Sequence, residues 1–144
     1  MLIIKTINKN ISYDFDKDGI ITNLDNIIED GEASEISGVN ILNYVPLFKV
    51  QQLVYDFTKK LGKGGFLALG GNNLDAICKK RSNGLENVVV TNQLLFGNGS
   101  SVYETKLSAS TPAIIKECMK MYGLKIQTVL IEDVEFCVIG KRNE

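Results

Sequence analysis

Asp14, Asp16 and Asp18, with Gly19 after them and Asp25 further on, have the spacing of a calcium loop. Alternate carboxylates in such a loop converge on one hard cation, and the glycine permits the sharp turn. Two features point elsewhere. The closing position carries Asp25, shorter than the usual glutamate, and Ile11-Ser12-Tyr13-Asp14-Phe15 alternates like a strand rather than leading in as a helix. The competing reading is a β-hairpin whose acidic turn, Asp16-Lys17-Asp18-Gly19, faces water. The alternating and apolar runs at Ile11–Phe15 and Ile20–Leu24 favour that hairpin, so no metal is expected.

Other chemistry is narrowed by composition. The 144 residues include no histidine, which removes Ser-His-Asp and Cys-His catalysis and histidine metal ligation. Cys78, Cys118 and Cys137 are scattered, with no paired spacing for zinc. Sixteen basic residues face 17 acidic ones, so there is no basic excess for a nucleic-acid backbone. No apolar run reaches the roughly 20 residues that a membrane helix needs. Met1–Asn10 lacks the apolar core of a signal peptide, which leads us to expect a cytoplasmic protein.

Two glycine clusters have different prospects. Gly62-Lys63-Gly64-Gly65 follows a helical pattern and lacks phosphate-loop spacing, so it reads as a helix end and turn. Gly70-Gly71-Asn72-Asn73 follows an apolar strand and precedes a helix, the place where open α/β sheets take ligands. Asn40, Asn43 and Tyr44, after the preceding strand, would reach the same crevice.

The elements that must position these residues follow from periodicity. Leu2–Ile7, Ile11–Phe15, Ile20–Leu24, Ser34–Val39 and Phe66–Leu69 read as strands. Phe66–Leu69 is apolar at every position, as in a strand buried between two helix layers. Pro46 opens a helix in which Leu47, Val50, Leu53, Val54, Phe57 and Leu61 recur at helical spacing. Asn72–Arg81 and Thr111–Tyr122 read as further helices. Leu124–Ile131 and Glu135–Lys141 form an antiparallel pair around Glu132-Asp133. Leu85–Phe96 mixes strand and helix signals, and periodicity leaves it open. The whole of residues 1–144 reads as one domain.

From Gly19 to Arg142 the order of these words resembles the C-terminal half of a class I S-adenosylmethionine-dependent methyltransferase. The matching words are Asp30-Gly31-Glu32-Ala33-Ser34-Glu35-Ile36, Ile41-Leu42-Asn43-Tyr44-Val45-Pro46 and Leu61-Gly62-Lys63-Gly64-Gly65-Phe66-Leu67. Tyr122-Gly123-Leu124-Lys125 and Phe136–Arg142 continue the match. The resemblance implies an α/β fold: a Rossmann-like methyltransferase-type sheet, truncated at the N-terminus, with a C-terminal antiparallel hairpin. It implies cofactor positions at Asn23, Gly38, Val39 and Asn40, and acceptor-substrate positions at Asn43, Tyr44, Gly71 and Asn72.

The departures from the family pattern direct the functional expectation. The first glycine is Gly19, so no glycine-rich turn stands before the matched region to let a cofactor approach the backbone. The family's acidic position after its third strand falls on Asn23. Its two histidines fall on Asn40 and Tyr44, and a glutamate falls on Asn43. The expectation is a degenerate methyltransferase-like protein without independent catalysis, with no cofactor, serving as a binding, regulatory or structural component. The alternative is an active enzyme whose S-adenosylmethionine site is atypical or completed by a partner. A sheet lacking its first strand and helix would expose an edge or a bare face. A homo-oligomer or another protein partner is therefore expected.

Overall fold

The computed structural model describes residues 2–13, 24–97 and 106–143. Asp14, Asp16, Asp18, Asn23 and the expected turn at 16–19 lie outside the described residues. Six strands form one sheet in the order β2-β1-β3-β4-β6-β5: β1 is Leu2–Lys5, β2 Asn10–Tyr13, β3 Ala33–Gly38, β4 Leu61–Asn72, β5 Leu124–Glu132 and β6 Glu135–Arg142. Among the described residues only β3 and β4 run parallel; every other neighbouring pair of these strands is antiparallel. The expected adjacency of the 34–39 and 66–69 segments is therefore found, as is the C-terminal hairpin.

The helix between the parallel strands, α2 (Val50–Lys60), begins after two short 3-10 turns at Ile41–Tyr44 and Leu47–Lys49. The regular helix thus starts later than Pro46, because Pro46 itself is extended. Val50, Leu53, Val54 and Phe57 place one apolar stripe against the sheet and are all buried. That stripe meets Leu67 and Leu69 of β4, Ile36 of β3, Leu2 and Ile4 of β1, and Ile115 and Met119 in one core. Ile115 and Met119 belong to α5 (Pro112–Met121). Thr111 caps α5 by accepting from the Ile114 N–H, and Pro112 takes its first turn.

No helix break follows α2. Leu61 turns extended and the chain enters β4 at once. Ala33 pairs with Leu61 and Glu35 with Phe66, so Gly62 to Gly65 bulge where β3 has only Ser34. Glycine is required twice here. Gly64 has φ +74°, and a Cβ on Gly62 would stand 2.8 Å from the Gly31 carbonyl oxygen. Arg142 of β6 donates to the carbonyls of Thr58 and Leu61, satisfying the C-terminal end of α2 with a cation.

Two other expectations need correction, and one open segment is resolved. Leu24 does not continue a strand; it opens a single helical turn, α1 (Leu24–Ile27), and is buried against the core. The segment from Leu85, ambiguous in sequence, contains a helix, α4 (Val88–Phe96), preceded by α3 (Leu74–Ser82). Asn87 decides α4 locally, since its side chain accepts from the Val90 N–H at 2.8 Å. The second correction concerns Phe66–Leu69, which is not buried on both faces. Leu67 and Leu69 are fully buried, but Phe66 is 39% exposed. Strand alternation puts Ile3, Lys5, Glu35, Ser37, Phe66, Ala68, Cys137, Ile139 and Leu130 on the second face, and each is half-buried or exposed. Among the described residues the core lies on one side of the sheet. Among the described residues no helix is long and apolar enough to cross a membrane.

Candidate functional site

The carboxyl ends of β3 and β4 bring Gly38, Val39, Asn40, Asn43, Tyr44, Gly71 and Asn72 into one region. In an open α/β sheet this is where a ligand crevice forms. The contacts there are largely internal. Asn43 is buried, and its Oδ1 accepts from the Asn72 backbone N–H at 2.8 Å. Its carbonyl accepts from Leu107 and Ser108 N–H groups at 2.7 and 3.3 Å. Asn72 in turn donates from Nδ2 to the Leu94 carbonyl of α4 at 2.5 Å. These two asparagines, expected on the acceptor side, clamp the segment after β3 to the end of β4 and to α4. Buried amides keep such bonds because leaving them unmade is costly.

The glycines serve the same closure. A Cβ on Gly71 would stand 2.8 Å from Asn43 Oδ1, and one on Gly38 would stand 2.6 Å from Ile41 Cδ1. The room above both glycines is thus occupied by the chain itself. Val39 and Asn40 face outward, Val39 with 51% exposure, and Tyr44 is half-buried against the core. Residues 106–110 cross this region and escaped sequence reasoning. Ser108 Oγ donates to the carbonyls of Leu42 and Val45, and the Ser110 carbonyl accepts from Leu74 N–H at 2.8 Å. Ser110 Oγ is the one buried side-chain polar atom without a hydrogen-bond partner among the described residues. Burial lowers the pKa of Lys106, partly offset by Glu135, and its ammonium donates to the Leu94 carbonyl at 3.1 Å. The only sequence signal for this segment is a run of small polar residues before a helix cap.

A second polar cluster also went unseen. Lys60 closes α2 with its side chain 4% exposed, and its ammonium meets Asp25 at 2.5 Å and Asp30 at 2.8 Å. Burial alone would pull the Lys60 pKa down. Hydrogen bonds and attraction from the two aspartates outweigh it, so the net shift is upward. The same Lys60 hydrogen bond holds Asp30 below its ordinary value. Asp25, the closing residue of the calcium pattern, thus has its carboxylate on an ammonium. Among the described residues no group of three acids, cysteines or histidines is arranged for a metal ion. Burial raises the pKa values of Cys118 and Cys137, which keeps both as thiols rather than reactive thiolates.

No family model and no curated protein matches this chain. Solved structures do. An Archaeoglobus fulgidus SAM-dependent methyltransferase superimposes with TM-score 0.58 at 9% identity, over 85% of this chain and 64% of its own. A Thermotoga maritima SAM-dependent methyltransferase, described as a possible histamine N-methyltransferase, gives 0.56 at 13% identity, over 81% and 59%. An O-methyltransferase family protein of Burkholderia thailandensis gives 0.55 at 14% identity, over 79% and 31%. The fold is that of a class I methyltransferase-like α/β sheet. This methyltransferase-like chain spans from about a third to two thirds of those proteins' lengths. On the far side of its one parallel pair, β3 is flanked by the antiparallel β1–β2 hairpin. Tight binding of S-adenosylmethionine needs backbone that a ligand can approach closely. At this crevice Ile41 occupies the place a side chain on Gly38 would take, and Asn43 the place one on Gly71 would take.

Proposed function

We propose that this chain is a methyltransferase-like protein without independent catalysis, acting in the cytoplasm as a binding, regulatory or structural component. The observation that carries the reading is the self-filled crevice. Ile41 sits over Gly38 and Asn43 over Gly71, where a ligand-binding sheet keeps its backbone open. The open second sheet face supports a role in protein contact, since apolar surface of this kind is usually covered. Fold alone carries no activity, because function resides in the site. Isothermal titration of the isolated chain with S-adenosylmethionine and with its demethylated product tests the reading. The expected outcome is no saturable heat; micromolar binding of either compound overturns it.

A second reading is an active methyltransferase completed by a partner. The exposure of Val39 and Asn40 at the crevice mouth favours it, because both remain accessible to another chain. In that case Asn40 would contact the cofactor only in the complex. Mass spectrometry of the protein isolated from its native source distinguishes the two readings: a co-purifying adenosyl compound, lost with Asn40→Ala, supports the completed enzyme.

A further inference from the structure

We infer that two copies of this chain pair through β5, edge to edge and antiparallel, about a two-fold axis at Val129. The inference rests on the protein-contact reading above and names its partner as a second copy. β5 ends the sheet, so its outer backbone groups face no other strand among the described residues. Natural edges are blunted by charge, proline, bulges or shortness. The opposite edge, β2, has four residues (Asn10–Tyr13) among those described. β5 has nine residues; Lys125 and the irregularity at Gln127 blunt its first half, and in its second half the one charge is Glu132 at the very end. Thr128-Val129-Leu130-Ile131 carries neither charge nor proline, and Leu130 and Ile131 are 55% and 63% exposed.

The occupant follows from charge. Within the chain, Lys125 stands directly opposite Lys141, and Glu132 directly opposite Glu135. Like charges facing across a ladder are unfavourable. A two-fold at Val129 sets Thr128 against Leu130 of the second copy. With the irregularity at Gln127 taken up, Ile126 then meets Ile131 and Lys125 meets Glu132. Side-chain faces agree throughout. The register with β6 puts Lys125, Thr128, Leu130 and Glu132 on the open face, and Ile126, Val129 and Ile131 on the core face. Each like-charged end thereby receives the opposite charge, twice by symmetry. Pairing β5 with itself closes the assembly, whereas pairing β5 with β2 would run on as a filament.

One strand pair is a small interface, so the dimer is expected to be weak and concentration-dependent. Sedimentation velocity across the micromolar range should show a monomer–dimer equilibrium. Ile131→Lys, at an exposed position, should hold the chain monomeric at every concentration while its far-ultraviolet dichroism and melting temperature stay unchanged. Lys125→Glu alone and Glu132→Lys alone should each shift the midpoint to at least several-fold higher concentration, and the double exchange should restore it. A wild-type monomer throughout, a dimer indifferent to Ile131→Lys, or a double exchange that fails to restore pairing would each overturn the inference. None of these outcomes bears on cofactor binding, which the calorimetric titration decides separately.

Discussion

Helices α2 and α4 are both rich in apolar residues, yet one builds the core and the other buries nothing. In α2 the apolar residues recur every three or four positions, and Val50, Leu53, Val54 and Phe57 are at most 1% exposed. In α4, Val88, Val89, Val90, Leu94, Leu95 and Phe96 cluster at the two ends of the helix, and none of its nine residues is buried. The two helices also end differently. α2 is terminated by Arg142 from a distant strand, whereas α4 is held by its own Asn87 cap and by Gly97 at φ +79°. Spacing therefore governs burial more than apolar content does, because only a stripe can meet a sheet along the length of a helix.

The sharpest way to break this contrast is to truncate matched side chains. Phe57→Ala should lower the unfolding free energy by about 3–5 kcal/mol in chemical denaturation, since it empties a fully buried aromatic site. Val89→Ser on α4 should stay within about 0.5 kcal/mol, as exposed substitutions do. Equal losses at both sites would show that α4 is packed after all. The crevice that ties α4 to the core offers the next test. Gly71→Ala places a methyl group against Asn43 Oδ1 and should cost about 1–3 kcal/mol by overpacking. An unchanged denaturation midpoint would mean that the Asn43 clamp yields freely.

A smaller effect is expected from the α4 cap. Asn87→Ala should cost about 1 kcal/mol, felt locally. Hydrogen exchange should quicken in Val88–Phe96 while α2 amides keep the slow exchange of the global core. Equal quickening in both helices would make α4 part of the cooperative unit. The smallest expected change concerns pH. Asp30 has a folded pKa depressed by Lys60, so its contribution is present above the unfolded carboxylate value and is lost as pH falls through the folded one. Lys60 is raised, so its contribution is present below the unfolded lysine value and is lost as pH rises through the folded one. Asp30→Asn should lower the melting temperature slightly at neutral pH, where the contribution is present, and the two profiles should converge as pH falls, which flattens the acid limb. An identical acid limb would remove the Asp30–Lys60 pair from the account.

Much of this architecture was legible as pattern. The stripe from Val50 to Phe57 specified α2, and Thr111-Pro112 together with Gly123 bracketed α5. The alternation around Glu132-Asp133 gave the C-terminal hairpin, and the order of these words matched a methyltransferase sheet. The candidate positions Gly38, Val39, Asn40, Asn43, Tyr44, Gly71 and Asn72 were also brought to one end of that sheet, as chain order alone implies. What those side chains do there was not legible. Asn43 could as well have faced a ligand as the Asn72 N–H, because a side chain's hydrogen-bond partner depends on which distant backbone arrives beside it.

By itself, then, the sequence determined where most of the helices and strands form, since periodicity, caps and turn glycines act over a few residues. It also determined, through the absence of histidine from these 144 residues, that their chemistry does without an imidazole. Tertiary structure decided the rest. Among the described residues it packed helices on one sheet face, so that Phe66 and Leu130, apolar in an apolar run, stay exposed. It left α4 unburied despite its composition. It brought Lys60 to Asp25 and Asp30, 35 and 30 residues away in the chain. Each of these outcomes depends on contacts between distant segments, and burial and charge pairing are properties of such contacts rather than of any local word.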